Sequence, residues 1–198
     1  MNRITLTQAT VLALAFTHVS AQDYNKGLKA YNAGDYAIAM KEWKPLAEQG
    51  NASAQYNLGW MYEKGKAQFF YDYIEALKWY RLAAEQSDAF GQNSLGRMYG
   101  QGKGVLKDSI EAAKWYRLSA EQGYARAQSG LGYMYENGLG VPQDNQISHM
   151  WYNIASANGW YSQPDRDKVS ALMSAEDISK TTAMARECMD SNYKKCGW

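Results

Sequence analysis

Apolar residues recur at helical spacing along most of this chain, and the spacing resets at regular intervals. Over residues 54–64, Ala54, Leu58 and Tyr62 stand at i, i+4 and i+8, which places them on one stripe of a helix. A glycine-containing turn follows. After Asp72 a second helical pattern sets Ala76, Tyr80, Ala83 and Ala84 on a face of small and large side chains that Trp79 widens. The same pair of patterns then returns: EALKWYRLAAEQS at 75–87 reappears as EAAKWYRLSAEQG at 111–123, an offset of 36 residues. Leu95-Gly96-Arg97-Met98-Tyr99 matches Leu131-Gly132-Tyr133-Met134-Tyr135 at that offset, and Leu58-Gly59-Trp60-Met61-Tyr62 lies 37 residues before the first of these. The extra residue falls between Gly65 and Asp72. A fourth copy keeps Asp144, Trp151 and Tyr152 in register with Asp108, Trp115 and Tyr116, and a degenerate first copy at 34–50 aligns Asp35 with Asp72 and Trp43 with Tyr80. A period of this length means helix pairs that bury their apolar faces against neighbouring copies.

The polar and glycine positions agree with that reading. Asp72, Asp108 and Asp144 stand where an N-cap acceptor satisfies the open amides of a second helix. Gly59, Gly96 and Gly132 recur beside the apolar stripe. A helical glycine costs close to 1 kcal/mol against alanine, so its return argues that a neighbouring helix approaches too closely for a side chain. Gly123 suits a left-handed helix end. Beyond Gly159, Gln163-Pro164-Asp165 interrupts the repeat. Two more helical patterns follow, one carrying Val169 and Leu172 and the other Ile178, Ala185 and Cys188, and are expected to cap the stack.

The segments AQYNLGWMY, GQNSLGRMY and AQSGLGYMY, the turns Gly102-x-Gly104-Val105 and Gly138-x-Gly140-Val141, and the KWY or MWY runs closing in AEQG-like ends resemble the Sel-1-like repeat family, a relative of the tetratricopeptide repeats. The resemblance covers about residues 24–160 and implies an all-α, right-handed superhelical solenoid of tandem helix pairs with a C-terminal helical cap. It implies repeats at 24–50, 51–87, 88–123 and 124–159 within a 22–160 solenoid, a cap at 161–198, and a protein that binds partners rather than catalyses. The second copy departs from the pattern, because 65–71 lacks the second turn glycine.

Residues 1–21 read as a signal peptide, with Arg3, an apolar run centred on Val11 to Phe16, and Val19-Ser20-Ala21 before an expected cut ahead of Gln22. That predicts a periplasmic or secreted product. Removing Arg3 leaves 20 Lys and Arg, 21 less one, against 20 Asp and Glu. A neutral chain without a basic tract lacks the phosphate-neutralising surface that nucleic-acid binding requires, and no apolar run after residue 22 approaches the roughly 20 residues of a membrane helix. Two cysteines, Cys188 and Cys196, are expected to pair in an oxidising compartment; free thiols or a bridge to a partner are the alternatives.

Candidate chemistry is sparse. After the signal segment the single histidine is His149, read as a partly exposed helix residue, so a usual zinc site lacks ligands and neither a metal nor a cofactor is expected. Asp165, Asp167, Glu176 and Asp177 cluster after the last repeat, where helix-start chemistry competes with general acid or base work on envelope material. The Trp and Tyr pairs at 79–80, 115–116 and 151–152 are read as core. Binding is expected where the copies differ: Tyr56, Asn57 and Trp60, then Asn93, Ser94 and Arg97, then Ser129, Gly130 and Tyr133. Trp60, Arg97 and Tyr133 are expected to form a ladder along an inner curve, using the residue types that most often dominate binding energy. Phe69, Phe70 and Tyr71 either tuck beneath the next repeat, the favoured reading, or stand exposed as an anchor. The partner is another protein; the resemblance offers an envelope adaptor, or an immunity protein that neutralises a type VI secretion effector such as a phospholipase.

Overall fold

The computed structural model describes residues 24–66 and 70–196; the expected signal segment and Phe69 lie outside them. Every regular element among the described residues is an α-helix. The chain divides into two compact units, the first ending at Trp79 and the second starting at Tyr80.

The first unit carries α1 (24–32), α2 (Tyr36–Glu48), α3 (Ala52–Glu63) and the start of α4 (Tyr73–Glu85). Trp43 anchors the degenerate first pair: it is fully enclosed, its ring lies 6.1 Å from that of Tyr24 and 5.7 Å from that of Tyr31, and its indole N–H donates to the Tyr24 carbonyl at 3.1 Å. Gly27 makes this possible, since a Cβ there would meet the indole at 2.5 Å. In α3, Ala54, Leu58 and Tyr62 are buried as their spacing predicts. Asn51 caps α3 by accepting from the Ala54 amide at 2.8 Å, and Asp72 caps α4 by accepting from Glu75 at 3.0 Å. Asp35 precedes α2 without a side-chain cap bond, in keeping with the divergence of that copy.

The second unit continues with α5 (Ala89–Gln101), α6 (Ser109–Ala120), α7 (Ala125–Asn137), α8 (Asn145–Ala157), α9 (Gln163–Ser170) and α10 (Ala175–Asp190). Asp108 accepts from Ile110 and Glu111, and Asp144 from Gln146 and Ile147, at 2.8–3.0 Å, so these aspartates are the expected caps. Gly96 and Gly132 are contact positions. A Cβ on Gly96 would lie 3.1 Å from the Ala112 carbonyl oxygen, and one on Gly132 would lie 2.9 Å from the Tyr152 ring. Successive copies are also tied by one repeated bond: Arg81 donates to the Tyr99 hydroxyl at 2.7 Å, and Arg117, 36 positions later, donates to that of Tyr135 at 2.9 Å. Leu95, Met98, Leu131, Met150, Trp151 and Ile154 fill the core with no exposure.

The C-terminal segment corrects two expectations. Gln163-Pro164 falls after the last repeat and opens α9, because a proline in the first turn sacrifices no helical hydrogen bond. Val169 is buried on α9, but Leu172 lies past the helix end and is 69% exposed. His149 is not a partly exposed residue; it is 2% exposed beneath α10, with Nδ1 2.7 Å from the Thr181 hydroxyl. Cys188 and Cys196 are bonded to each other. That loop brings Tyr193 against the turn at Gly123, and the Tyr193 hydroxyl accepts from Asn158 at 2.8 Å.

Candidate functional site

Tyr56, Asn57 and Trp60, and Asn93, Arg97 and Tyr133, positions at which the copies differ, line open cavities. In the first unit a cavity of about 200 Å³ is walled by Tyr31, Trp43, Tyr56, Asn57 and Trp60. α1 and α3 set its sides. The Trp60 indole N–H donates to the Tyr31 hydroxyl at 2.8 Å, and Asn57 donates to the Tyr24 hydroxyl at 3.1 Å, so both side chains are held before any partner arrives. The Lys64 ammonium sits 4.6 Å from the Trp60 ring centroid. The result is an aromatic pocket with fixed walls.

In the second unit two cavities adjoin. One, of about 310 Å³, is lined by residues that include Asn93, Arg97, Tyr116, Arg126, Tyr133 and Trp160; the other, of about 420 Å³, shares Arg97, Tyr116 and Tyr133 and adds Lys107 and Leu139. Arg97 on α5 and Tyr133 on α7 therefore face the same space. Trp60 belongs to the first unit and Arg97 and Tyr133 to the second. Asn93 lines the cavity although it is only 5% exposed, and Tyr133 is 54% exposed. Ser94 is buried and faces neither cavity.

Tyr116 was assigned to the core by its repeating register, yet it reaches this groove. Its ring occupies space left by two glycines: a Cβ on Gly96 would lie 3.2 Å from it and one on Gly130 would lie 3.1 Å from it. The signal was Gly130 itself, which stands where the other copies have Asn57 and Ser94. Burial pushes the Tyr116 phenol up to about 12, outweighing Arg97 and Arg126, which pull it down. The hydroxyl is thus a proton donor at any ordinary pH. Tyr152 lies at the same repeat position and lines the groove floor; its hydroxyl donates to Glu136 at 2.8 Å, and Glu136 also pairs with Lys168. Arg126 and Trp160 were not foreseen. Both stand in the last repeat, 36 positions after Phe90 and Tyr124, whose rings also meet, and the guanidinium carbon lies 5.4 Å from the indole centroid.

The remaining candidates are dispersed. Phe70 and Tyr71 do not tuck under the following copy; they are 58% and 66% exposed, and Tyr71 stacks on Tyr73 at 6.0 Å. The position equivalent to Phe70 in the following turn, Leu106, is exposed as well. Of the acids after the last repeat, Asp165 faces the groove, Asp167 pairs with Arg166 at 2.7 Å, and Asp177 accepts from Ser174 and Gln146 at 2.7 and 2.8 Å. Glu176 and Asp177 sit in the first turn of α10, Asp165 in that of α9. Helix starts favour carboxylates for their dipole, and these acids occupy such places rather than a shared cleft. Among the described residues no group of three His, Cys, Asp or Glu side chains gathers to hold a metal, and no helix is long and apolar enough to cross a membrane.

The family model described as Sel1 repeat matches residues 52–88, 89–124 and 125–160. No curated protein matches the chain. Two solved structures are similar to it. A protective antigen present in uropathogenic Escherichia coli strains, displaying an SLR fold, is 29% identical with a TM-score of 0.78 over 88% of this chain. A Sel1 repeat protein from Oxalobacter formigenes is 35% identical with a TM-score of 0.65 over 69% of it. This chain spans 39% of the first protein's length and 56% of the second's.

Proposed function

The chain belongs to the Sel1 repeat family, and from that premise we propose that it is a non-enzymatic scaffold that binds another protein through the side chains lining its two sets of cavities. One observation carries the reading. Tyr56, Asn57 and Trp60 in the first unit, and Asn93, Arg97 and Tyr133 in the second, differ from copy to copy, and these residues line open space. A stack needs repetition only where copies pack on each other. Variation on an accessible surface rich in Trp, Tyr and Arg is what partner recognition requires. Exposed Phe70 and Tyr71 add a further apolar contact.

The same proposal places the protein in a bacterial envelope or outside it. The N-terminal signal pattern supports export, and the Cys188–Cys196 disulfide suits an oxidising compartment. The test is affinity capture from envelope extract with the mature chain, beside Tyr56→Ala/Trp60→Ala and Arg97→Ala/Tyr133→Ala variants. A protein retained by the parent and lost by a folded variant supports the scaffold reading and names the cavity used. Capture of a toxic effector encoded beside this gene would make the scaffold an immunity protein, and capture of an assembly component would make it an adaptor. Equal capture by both variants and the parent would refute these sites.

A further inference from the structure

The groove of the second unit is lined by an excess of positive charge. Across its two adjoining cavities three cationic side chains, Arg97, Arg126 and Lys107, face one carboxylate, Asp165. The chain as a whole is close to neutral, with 21 Lys and Arg against 20 Asp and Glu. A local excess of positive charge on a neutral molecule is a recognition feature rather than a general attraction for polyanions.

The arrangement also fits a particular chemistry. Arg126 rests its guanidinium against the Trp160 ring at 5.4 Å. A guanidinium held over an aromatic ring still has several N–H donors, and a planar acceptor can take two of them. Arg97 serves both cavities, and both arginines lie near enough to the Tyr116 hydroxyl to act on its ionisation. The polar lining is therefore weighted toward donors, with the aromatic rings of Tyr133 and Trp160 beside them. Carboxylates accept from such donors, and apolar or aromatic side chains lie against such rings.

We propose that this groove recognises an acidic stretch of a partner polypeptide, with its carboxylates held by Arg97 and Arg126 and its apolar side chains laid against Tyr133 and Trp160. The inference rests on the scaffold reading above and narrows it to one class of partner. A nucleic acid fits less well, because three cations at one groove neutralise few phosphates.

The experiment measures fluorescence anisotropy of the full mature chain with a labelled octapeptide of glutamate, phenylalanine and glycine, beside the same peptide carrying glutamine for glutamate. The glutamate peptide is expected to bind at least about ten-fold more tightly at low salt, with the advantage shrinking as salt rises. Arg126→Gln, at an exposed position, is expected to remove about ten-fold, and Asp165→Asn, which deletes the competing carboxylate, to tighten binding about two-fold. The gain from Asp165→Asn cannot arise from misfolding. Equal binding of the two peptides, indifference to Arg126→Gln, or equally tight binding of glutarate or of an oligothymidylate of matched charge would overturn the proposal. If the chain captures a protein partner that ignores both substitutions, this inference alone falls; if it captures none, the scaffold reading falls with it.

Discussion

Two glycines in equivalent-looking helical surroundings should respond to alanine with opposite signs. Gly132 on α7 faces Tyr152 on α8, and an added Cβ would lie 2.9 Å from Cδ1 and 3.0 Å from Cε1 of that ring. The ring has little room to move: Tyr152 is 1% exposed, and its hydroxyl is fixed to Glu136, which pairs with Lys168. Overpacking a tight core costs about 1–3 kcal/mol, and the helical preference of alanine returns about 1 kcal/mol. The backbones must part slightly for Gly132→Ala to fit, so we place it toward the upper end and expect a net loss of about 1–2 kcal/mol. For a chain of this length that lowers the melting temperature by about 3–6 °C. Gly100 on α5 is the control, since its added Cβ would meet only the Ala112 Cβ at 3.6 Å, an ordinary contact. Gly100→Ala should gain about 0.5 kcal/mol, reduced from the full helical preference because the site lies in the last turn. Thermal and urea unfolding followed by far-ultraviolet circular dichroism measure both. A Gly132→Ala variant that melts at or above the parent temperature would refute the claim that this glycine is a helix-contact position.

Two further outcomes follow from the C-terminal cap. Replacing Cys188 and Cys196 with alanine reopens a loop of sequence separation 8, which should cost about 2–3 kcal/mol in the chain-entropy model and release Tyr193 from Asn158; hydrogen exchange over residues 188–196 should speed up, and unchanged protection there would count against the latch. Burial, helped by Arg166 and opposed by Asp167, pushes the His149 imidazole below its ordinary range. The unfolded chain then binds a proton near pH 6.5 that the folded chain resists, so the contribution of His149 is intact above that pH and is lost as pH falls toward its folded value. His149→Gln should flatten the stability profile below about pH 6.5 relative to the parent, and a parallel fall in both proteins would show that other groups set it.

The helix pairs, their capping aspartates and their contact glycines were legible from the chain, because each is enforced by a local or a repeating rule. Asp108 and Asp144 cap wherever an aspartate precedes a helix with open amides. Ala54 and Leu58 are buried because their spacing lines one helix face. The cysteine pairing was likewise foreseen from compartment and proximity. Candidate binding residues were picked by asking where copies diverge, a question about sequence alone. Repetition answers it only for positions inside the repeat.

Tertiary structure decided everything that depended on neighbours outside the repeat register. His149 is buried because α10, which shares no sequence with the repeats, lies over it. Arg126 and Trp160 stand 36 positions after Phe90 and Tyr124, which also meet, so the register carries that contact, and only the folded groove shows that it borders a cavity. Tyr116 shares a register position with the enclosed Tyr80 and Tyr152 but lines both cavities of the groove, where Gly96 and Gly130 leave room for its ring. Phe70 and Tyr71 are exposed, which their apolar character alone did not indicate. Period and capping are written along the chain and can be read there. Exposure and the convergence of charges are properties of distances between segments far apart in sequence, and folding alone sets those distances.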